Sequence, residues 1–409
     1  MRRIAWYLLL AFAFAVPWEY SLDLGEPLGN VARVAGLLLL LAAIPAVLQP
    51  GRMRTPGPLQ WLVLALYLWF CCTCFWSIEP SVSLEKMRAF FQEMMVVWMV
   101  WEFAESPEDL RTLFHATVLG CWVLALLTLA DFRSAETLAA GQIRFAAYGQ
   151  DPNDVARFLD LGLPFAALLA ITERRWLAKL AAVAYLPVGL LAVLLTASRG
   201  GFLAAVLAVA GCAFLMLQGR PRALFAGLFA LPVLAAAAWL AVPAGVLERL
   251  ATIPEQLSGG GLNQRFDIWA AGWRAFTHAP LLGSGIGAFV AAAGLSPIDT
   301  AHNTALSILV AGGLCALSLA VAITVVSVRS ALRTAGLLRI ALVTSLAIWL
   351  VTSMVSSVEE SRFTWLLLAF LALAERLALD EPLHLAACFP GPAAAAGQGG
   401  VPAASVQAR

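Results

Sequence analysis

Residues 196–201 read TASRGG, and they interrupt the stretch of sequence that decides the fold. From Ala181 to Gln218 the chain runs for 38 residues with one charged side chain, Arg199. An α-helix rises about 1.5 Å per residue and the hydrocarbon core of a bilayer is about 30 Å thick, so one span needs about 20 residues. The stretch is nearly twice that length. Either Arg199 lies in mid-membrane, or two helices meet at a turn that contains it.

The composition is that of a membrane protein. Of the 409 residues, 61% are hydrophobic and 12% are charged, whereas soluble domains carry about 25% charged residues. The mean hydropathy is +0.85. Apolar runs recur along almost the whole chain and are continuous rather than alternating, which excludes a transmembrane β-barrel. The sequence therefore predicts an all-α polytopic membrane protein.

The apolar runs predict twelve spans. Their limits are 4–17, 31–48, 58–75, 87–104, 110–130, 155–172, 178–197, 201–217, 223–242, 302–325, 338–356 and 363–378. Together they predict a membrane domain over residues 1–379, with a large loop at 243–301 between the ninth and tenth spans. Residues 380–409 are rich in Ala, Gly and Pro, which predicts a disordered tail.

The charged residues predict the orientation. Alternate connections carry the basic residues, at 2–3, 52–54, 174–179, 220–222 and 329–333. Basic connections face the cytoplasm, so both termini are expected there, and the TASRGG turn is expected on the opposite face. The acidic segment AESPEDLR at 104–111 runs against this pattern, since it is assigned to the cytoplasmic side.

The large loop contains two further features. In NQRFDIWAAGWRAFTHAP, the residues Phe266, Trp269, Trp273 and Phe276 recur at steps of three and four. This spacing predicts an amphipathic helix that lies on the membrane surface or caps a cavity. The stretch LLGSGIGAFVAAAG follows, and its glycines make it too irregular for a plain span, so we expect it to dip into space lined by protein.

Two arginines are candidates for binding an anion. Arginine near hydrocarbon is costly and is usually retained because it meets an anion. Arg199 precedes Gly200 and the first turn of a helix, whose free N–H groups also favour phosphate. Arg265 begins the amphipathic helix, and the pair would supply two forked donors to one pyrophosphate. The alternatives are a snorkelling anchor for Arg199 and a solvated polar-face residue for Arg265.

His302 is the candidate base. It starts the tenth span directly after the large loop, on the face that also receives Arg199 and Arg265. Histidine exchanges a proton near neutral pH, which suits a general base. The alternative is an interfacial histidine that caps the helix.

The carboxylates are weaker candidates. Asp151 and Asp154 in DPND either bind a metal or belong to a helix start, with Asn153 or Asp154 as the N-cap. Asp160 either pairs with Arg157 or lines a cavity. The seven cysteines are scattered in apolar runs and suggest packing rather than a disulfide framework. No metal and no cofactor are expected.

Several short motifs together resemble one family. DPND before the sixth span, TASRGG after the seventh, the R-x-x-x-W of Arg265–Trp269, the run GSGIGAF and the pair His302–Asn303 occur in the order seen in bacterial O-antigen ligases. The resemblance covers residues 145 to 325 and the twelve-span layout. The wider superfamily includes O-antigen polymerases and protein O-oligosaccharyltransferases.

The resemblance implies a fold similar to the C class of membrane glycosyltransferases and a reaction in the bacterial inner membrane. A glycan is transferred from undecaprenyl pyrophosphate to a sugar hydroxyl of the lipid A–core on the periplasmic face, without a metal and with inversion. It implies that Arg199, Arg265 and Gly200 hold the pyrophosphate and that His302 is the catalytic base. Arg144, Arg157, Asn153, Asn303 and Asp160 are secondary candidates.

Other functions remain open at this point. A sister enzyme would keep the donor and change the acceptor, but protein-directed relatives often have a further C-terminal region, and only about 30 residues follow the last span. A twelve-helix transporter of lipids or sugars would have two matching halves and buried charges near the midplane. The distinctive charges instead gather at one face, beside one loop.

Overall fold

The structure is a computed structural model of the chain. It describes residues 1–25, 28–48, 53–134, 143–218, 242–258, 264–296 and 299–390. Within these residues it contains α-helices and 3₁₀ turns and no β-strand beyond one isolated bridge. The prediction of an all-α protein is confirmed.

The helices follow the chain in an up-and-down order. The first half consists of α1 (Arg2–Ala15), a 3₁₀ segment (Val16–Ser21), α2 (Val31–Val47), α3 (Pro58–Thr73), α4 (Pro80–Phe103), α5 (Pro107–Arg133), α6 (Pro152–Thr172), α7 (Trp176–Leu195) and α8 (Arg199–Leu217). Four short helices of the large loop follow: α9 (Ala244–Ala251), α10 (Ile253–Ser258), α11 (Arg265–His278) and α12 (Phe289–Ala293). The last are α13 (Thr304–Arg333), α14 (Gly336–Ser353), α15 (Arg362–Asp380) and α16 (Pro382–Cys388).

The TASRGG segment is a turn between two helices. α7 ends at Leu195 and α8 begins at Arg199. The arginine therefore lies at a helix end and not in the middle of a span. The length argument predicted this turn correctly.

Helices occur at eleven of the twelve predicted spans. Among the described residues, seven helices are long and apolar enough to cross a membrane, and α2 and α3 are shorter apolar helices. α4 and α15 also coincide with predicted spans. The ninth predicted span, 223–242, lies almost wholly outside the described residues. The chain is thus a multi-pass membrane protein.

Two helices form the centre of the bundle. Almost every residue of α6 and α15 is buried. Their aromatic side chains stack, with the rings of Phe158 and Phe363 5.3 Å apart and nearly parallel. Phe114 of α5 stacks on Phe165 at 4.6 Å. Because α6 and α15 both begin at the end that carries TASRGG, the core fixes the positions of the groups at that end.

The acidic segment at 104–111 has a structural explanation. Glu102 and Glu105 both bind Arg2, at 2.7 and 3.0 Å, and Glu105 also lies 3.8 Å from Arg54. The acids thus compensate basic residues at the same end of the bundle. Their charge is paired locally, which accounts for an acidic segment among basic connections.

The predicted boundary of the tail was wrong. Residues 382–388 form α16, which packs on α5 and α15. Phe389 lies beside the Phe114 ring at 6.1 Å and is buried. The apolar residues Leu385, Cys388 and Phe389 give this segment a packing face, which the composition of the whole tail conceals. Residues 391–409 lie outside the described part.

Candidate functional site

The TASRGG turn is built around a left-handed residue. Ala197 has φ +48°, a conformation that costs a residue with a Cβ about 1–2 kcal/mol. Ser198 then caps α8, and its Oγ accepts a hydrogen bond from the Gly201 N–H at 3.1 Å. The turn therefore ends one helix and starts the next within three residues.

The two glycines of the turn have different surroundings. A Cβ on Gly201 would lie 2.4 Å from the Ala156 Cβ of α6, so this glycine permits close packing of α8 on α6. A Cβ on Gly200 would lie 3.1 Å from the nearest atom, a methyl of Val355. The structure thus gives Gly201 a packing role, whereas the role of Gly200 in phosphate binding stays a prediction.

A non-glycine residue with a left-handed backbone conformation lies at or near each of the three candidate residues Arg199, Arg265 and His302. Among the described residues, the non-glycine residues with positive φ are Ala197, Gln264 and His302. Ala197 lies two residues before Arg199, Gln264 immediately precedes Arg265, and His302 is itself the candidate base. Such strain persists where the surrounding structure enforces it, and it concentrates at functional sites. Sequence patterns gave no sign of it.

Residues 143–154 join the turn through Asn153. The Asn153 Oδ1 accepts hydrogen bonds from Arg144 Nη2 at 3.0 Å and from the Ser198 hydroxyl at 2.8 Å. Arg144 also donates from Nε to the Thr196 carbonyl at 3.3 Å. DPND and TASRGG, which are distant in sequence, therefore form one hydrogen-bonded unit that includes Arg144.

Arg249 of α9 is a further basic residue of the site, and sequence reasoning missed it. Its Nε donates to the Ala197 carbonyl at 3.1 Å. Arg199 in turn donates from Nη2 to the Thr252 hydroxyl at 2.6 Å, and its Nε lies 3.4 Å from the Arg249 carbonyl. α9 thus fastens the turn and adds a cation beside Arg199. Its sequence, AGVLERLA, is an ordinary amphipathic helix and gives no distinctive signal.

Four guanidinium groups consequently lie within electrostatic range of one another: Arg144, Arg199, Arg249 and Arg265. Burial lowers the pKa of Arg144 and Arg265, and the neighbouring arginines lower both further, against the opposing effect of Asp151. Among the described residues, no carboxylate lies within salt-bridge distance of Arg249 or Arg265. We call these four residues the arginine cluster. Mutual repulsion makes it a site that an oligoanion would stabilise.

His302 lies next to the arginine cluster and is half-buried. Burial lowers its pKa below the ordinary value, and the positive charge of Arg265 lowers it further, although Asp151, Asp299 and Asp154 oppose this shift. Its Nδ1 lies 3.2 Å from the Thr300 hydroxyl. At neutral pH the imidazole is therefore uncharged and able to accept a proton.

Asn303, and not His302, caps α13. The Asn303 Oδ1 accepts from the Leu306 N–H at 2.9 Å. Trp269 of α11 holds the preceding residue, because its Nε1 donates to the Ala301 carbonyl at 3.0 Å. The capping alternative for His302 is wrong, and the imidazole is left outside the helix with α11 beside it.

The connection between α14 and α15 closes the site beneath α13. Thr304 donates to the Ser356 carbonyl at 2.9 Å and accepts from the Val358 N–H at 2.8 Å. Glu359 is buried there, and burial together with the charge of Glu360 raises its pKa to about 7. Glu359 is a second group that titrates near neutral pH.

The glycine-rich stretch enters the bundle, as expected. α13 is kinked at Gly313, and the loop pairs with the carbonyls that the kink releases: Ser284 N–H donates to Val310 at 2.8 Å and Gly285 N–H to Ala311 at 3.0 Å. Gly285 has φ +109°, and a Cβ there would lie 2.2 Å from the Ser77 hydroxyl oxygen. The loop thereby anchors α11 against α13.

The amphipathic helix packs on the bundle through a face other than its aromatic stripe. Its buried residues are Ile268, Ala271, Gly272 and Ala275, which pack against α13. Phe266 and Trp273 are 51% and 56% exposed. Small residues at the contact let the two helices approach closely, so the aromatic stripe lies largely outside the contact. Its placement on a membrane surface stays a prediction.

Two of the alternatives raised for the carboxylates are wrong, the pairing of Asp160 with Arg157 and the identity of the N-cap in DPND. Arg157 pairs with Asp154 at 2.9 Å and not with Asp160, whose carboxylate oxygens are buried without a hydrogen-bond partner in the described structure. In DPND the N-cap is Asp151, which accepts from the Asn153 N–H at 2.7 Å, and neither Asn153 nor Asp154 caps the helix. Within the described ranges no group of three or more His, Cys, Asp or Glu could hold a metal ion.

Part of the chain is similar to known proteins. Residues 180–321 match the family model described as O-antigen ligase. This segment includes Arg199, Arg249, Arg265 and His302. A segment of the chain is thus similar to the O-antigen ligase family. It is also 28% identical over 322 residues to a protein of Pseudomonas aeruginosa named O-antigen ligase, covering 73% of this chain and 75% of that one. The resemblance found in the sequence motifs is confirmed, and Arg144 and DPND lie outside the matched segment.

Proposed function

We propose that the protein transfers a glycan from undecaprenyl pyrophosphate to a sugar hydroxyl of the lipid A–core. Similarity to the O-antigen ligase family supports an enzyme of this kind. The observation that carries the proposal is the arginine cluster beside an uncharged His302 at one end of the bundle. The reaction needs both features at one place.

The arginine cluster would bind the pyrophosphate of the donor. Charge develops on the leaving phosphate as the glycosidic bond breaks, and preorganised donors stabilise it without a metal. Forked guanidinium groups suit phosphate oxygens geometrically. Arg199 and Arg265 are the donors that we assign to this role, while Arg144 and Arg249 also hold the turn in place.

His302 would act as the general base. It removes the proton from the acceptor hydroxyl, whose oxygen attacks the anomeric carbon of the donor sugar. The bond from that carbon to the phosphate oxygen breaks, and undecaprenyl pyrophosphate leaves. A single direct displacement inverts the anomeric centre. We further propose that the protein lies in the bacterial inner membrane, with both termini cytoplasmic and the site on the periplasmic face.

The test is transfer in vitro with purified protein, a lipid-linked donor, lipid A–core and a chelator. We expect His302→Ala and Arg265→Ala each to lower kcat/KM by about 10²–10³-fold or more, as removal of one preorganised donor or base does. His278→Ala and Arg274→Ala are the matched controls, since both residues lie on exposed turns of α11.

Four outcomes would count against the proposal. Undiminished transfer by His302→Ala would refute the base assignment. A requirement for added divalent metal would refute catalysis by arginines alone. Glycan addition to another glycan or to a protein, with lipid A–core left unmodified, would favour an O-antigen polymerase or a protein O-oligosaccharyltransferase. Movement of the donor across vesicles without bond formation would favour the transporter alternative.

A further inference from the structure

A second polar cavity lies beside the site just described. It has a volume of about 240 Å³ and lies between the start of α2, the first turns of α4 and the connection from α14 to α15. Its polar lining includes Tyr20, Asn30, Arg33, Lys86, Glu93 and Glu360. These elements are at the same end of the bundle as the arginine cluster, but none of the residues assigned to the donor lines this cavity.

An apolar groove continues from the cavity. The two share Arg33 and Arg362, and the groove then follows α2 through Gly36 and Leu40 and α4 as far as Met99. Seven or eight residues of helix at about 1.5 Å each give a length of about 10–12 Å, most of one bilayer leaflet. Leu37 and Phe91 at its edges are 41% and 38% exposed, so the groove opens sideways towards lipid.

Two ionisable residues that line the cavity, Glu93 and Arg33, are available to a ligand. Lys86 pairs with Glu360, and Arg362 pairs with Glu19. Glu93 is 3% exposed, and its Oε2 has no hydrogen-bond partner in the described structure. Arg33 has no carboxylate of the described residues within salt-bridge distance. A buried carboxylate calls for hydrogen-bond donors such as sugar hydroxyls, whereas an arginine at the rim suits a phosphate.

The cavity is also connected electrostatically to the catalytic region. Glu19, the partner of Arg362, lies within electrostatic range of Asp154. Asp154 in turn lies within range of His302. The charges beside the cavity and the catalytic histidine are thus linked through Asp154.

We propose that this cavity and groove bind the acceptor, a phosphorylated glycolipid with an acyl chain in the groove and its sugar and phosphate groups at Glu93 and Arg33. The assignment to the acceptor rests on the proposed function. Substitutions in the groove should therefore affect binding of the acceptor, whereas substitutions in the arginine cluster should affect binding of the donor.

The test uses a pair of adjacent substitutions on α2. Leu40→Trp fills the groove, whereas Leu41→Trp adds the same side chain at a position that is 65% exposed and outside the groove. Binding of lipid A–core to the purified protein is measured by native mass spectrometry without donor, and KM is measured for each substrate in the transfer assay. We expect Leu40→Trp to weaken lipid A–core binding and to raise its KM at least tenfold, with the donor KM unchanged. Leu41→Trp should match the wild type.

The headgroup is tested separately with Glu93→Gln, which keeps the shape and replaces one carboxyl oxygen with an NH₂ group. It should weaken lipid A–core binding about tenfold, as loss of a hydrogen bond does, with no effect on binding of phosphatidylglycerol. Displacement of lipid A–core by an equal amount of phosphatidylglycerol would overturn the proposal in favour of a structural bilayer lipid. A rise in donor KM in Leu40→Trp would overturn it in favour of a prenyl groove. Absence of transfer by the wild type would refute the proposed function, while the binding data would still decide whether the cavity holds a glycolipid.

Discussion

The close packing of α8 on α6 makes Gly201→Ala a sharp test of how the site is built. The new Cβ would lie 2.4 Å from the Ala156 Cβ, where ordinary contact begins at 3.4 Å. The helices must separate by about 1 Å, and overpacking of this size costs about 1–3 kcal/mol. The same separation would stretch the 2.8 Å hydrogen bond from Ser198 to Asn153 beyond hydrogen-bonding distance.

We therefore expect Gly201→Ala to lower the Tm of the purified protein by about 2–6 °C, and to lower transfer activity as Arg144 and Arg199 lose their fixed positions. Tryptophan fluorescence in detergent measures the unfolding. Gly200→Ala is the matched control for stability, because its Cβ would meet only a methyl of Val355 at 3.1 Å. If a phosphate approaches Gly200 closely, Gly200→Ala will lose activity at an unchanged Tm.

A double substitution decides whether the clash is the cause. Ala156→Gly removes the opposing methyl, and glycine inside a helix costs about 1 kcal/mol by itself. The double variant Gly201→Ala/Ala156→Gly should then be about as stable as Ala156→Gly alone. Additive destabilisation, or a Gly201→Ala protein as stable as the wild type, would refute the packing argument.

Two further predictions concern His302 and its support. Because burial and Arg265 lower the pKa of His302, kcat/KM should stay constant on acidification until the pH falls below the ordinary histidine pKa, and Arg265→Gln should move this acid limb to higher pH. The fall in kcat/KM at acidic pH should persist in Glu359→Gln. If it is lost in that variant, the group that titrates is the Glu359 carboxyl and not His302. Trp269→Phe removes the 3.0 Å bond to the Ala301 carbonyl and should cost about 0.5–1.5 kcal/mol of stability as well as activity, whereas Trp273→Phe, 56% exposed, should change neither. Equal effects of the two tryptophan variants would contradict this positioning role.

The fold was predictable because membrane spans are encoded by length and apolarity. The 38-residue stretch around Arg199 could not form one span, and the structure has the turn where the argument placed it. The N-cap of α6 was predictable in principle, although it was misassigned. Pro152 fixes φ and lacks an N–H, so it belongs at the first helical position and the residue before it becomes the cap.

The site was predictable only in part, because its contacts are non-local. Three site residues were recognisable by their place at helix starts: Arg199, Arg265 and His302. No sequence pattern predicts that α9 brings Arg249 to the Ala197 carbonyl. For Arg157, only Asp160, three residues later, was considered as a partner, although Asp154 lies three residues earlier. Helical side chains point towards the N-terminus, and this favours Asp154, which is also nearer the end of the helix.

The central claim is that the arginine cluster holds the donor while His302 acts on the acceptor. The most direct measurement is the Kd of the glycan donor linked to undecaprenyl pyrophosphate for the wild type, His302→Ala and Arg265→Ala, determined in parallel with transfer activity. The account predicts that His302→Ala binds the donor with the Kd of the wild type and does not transfer, and that Arg265→Ala binds at least tenfold more weakly. Loss of donor binding in His302→Ala together with retained binding in Arg265→Ala would contradict it.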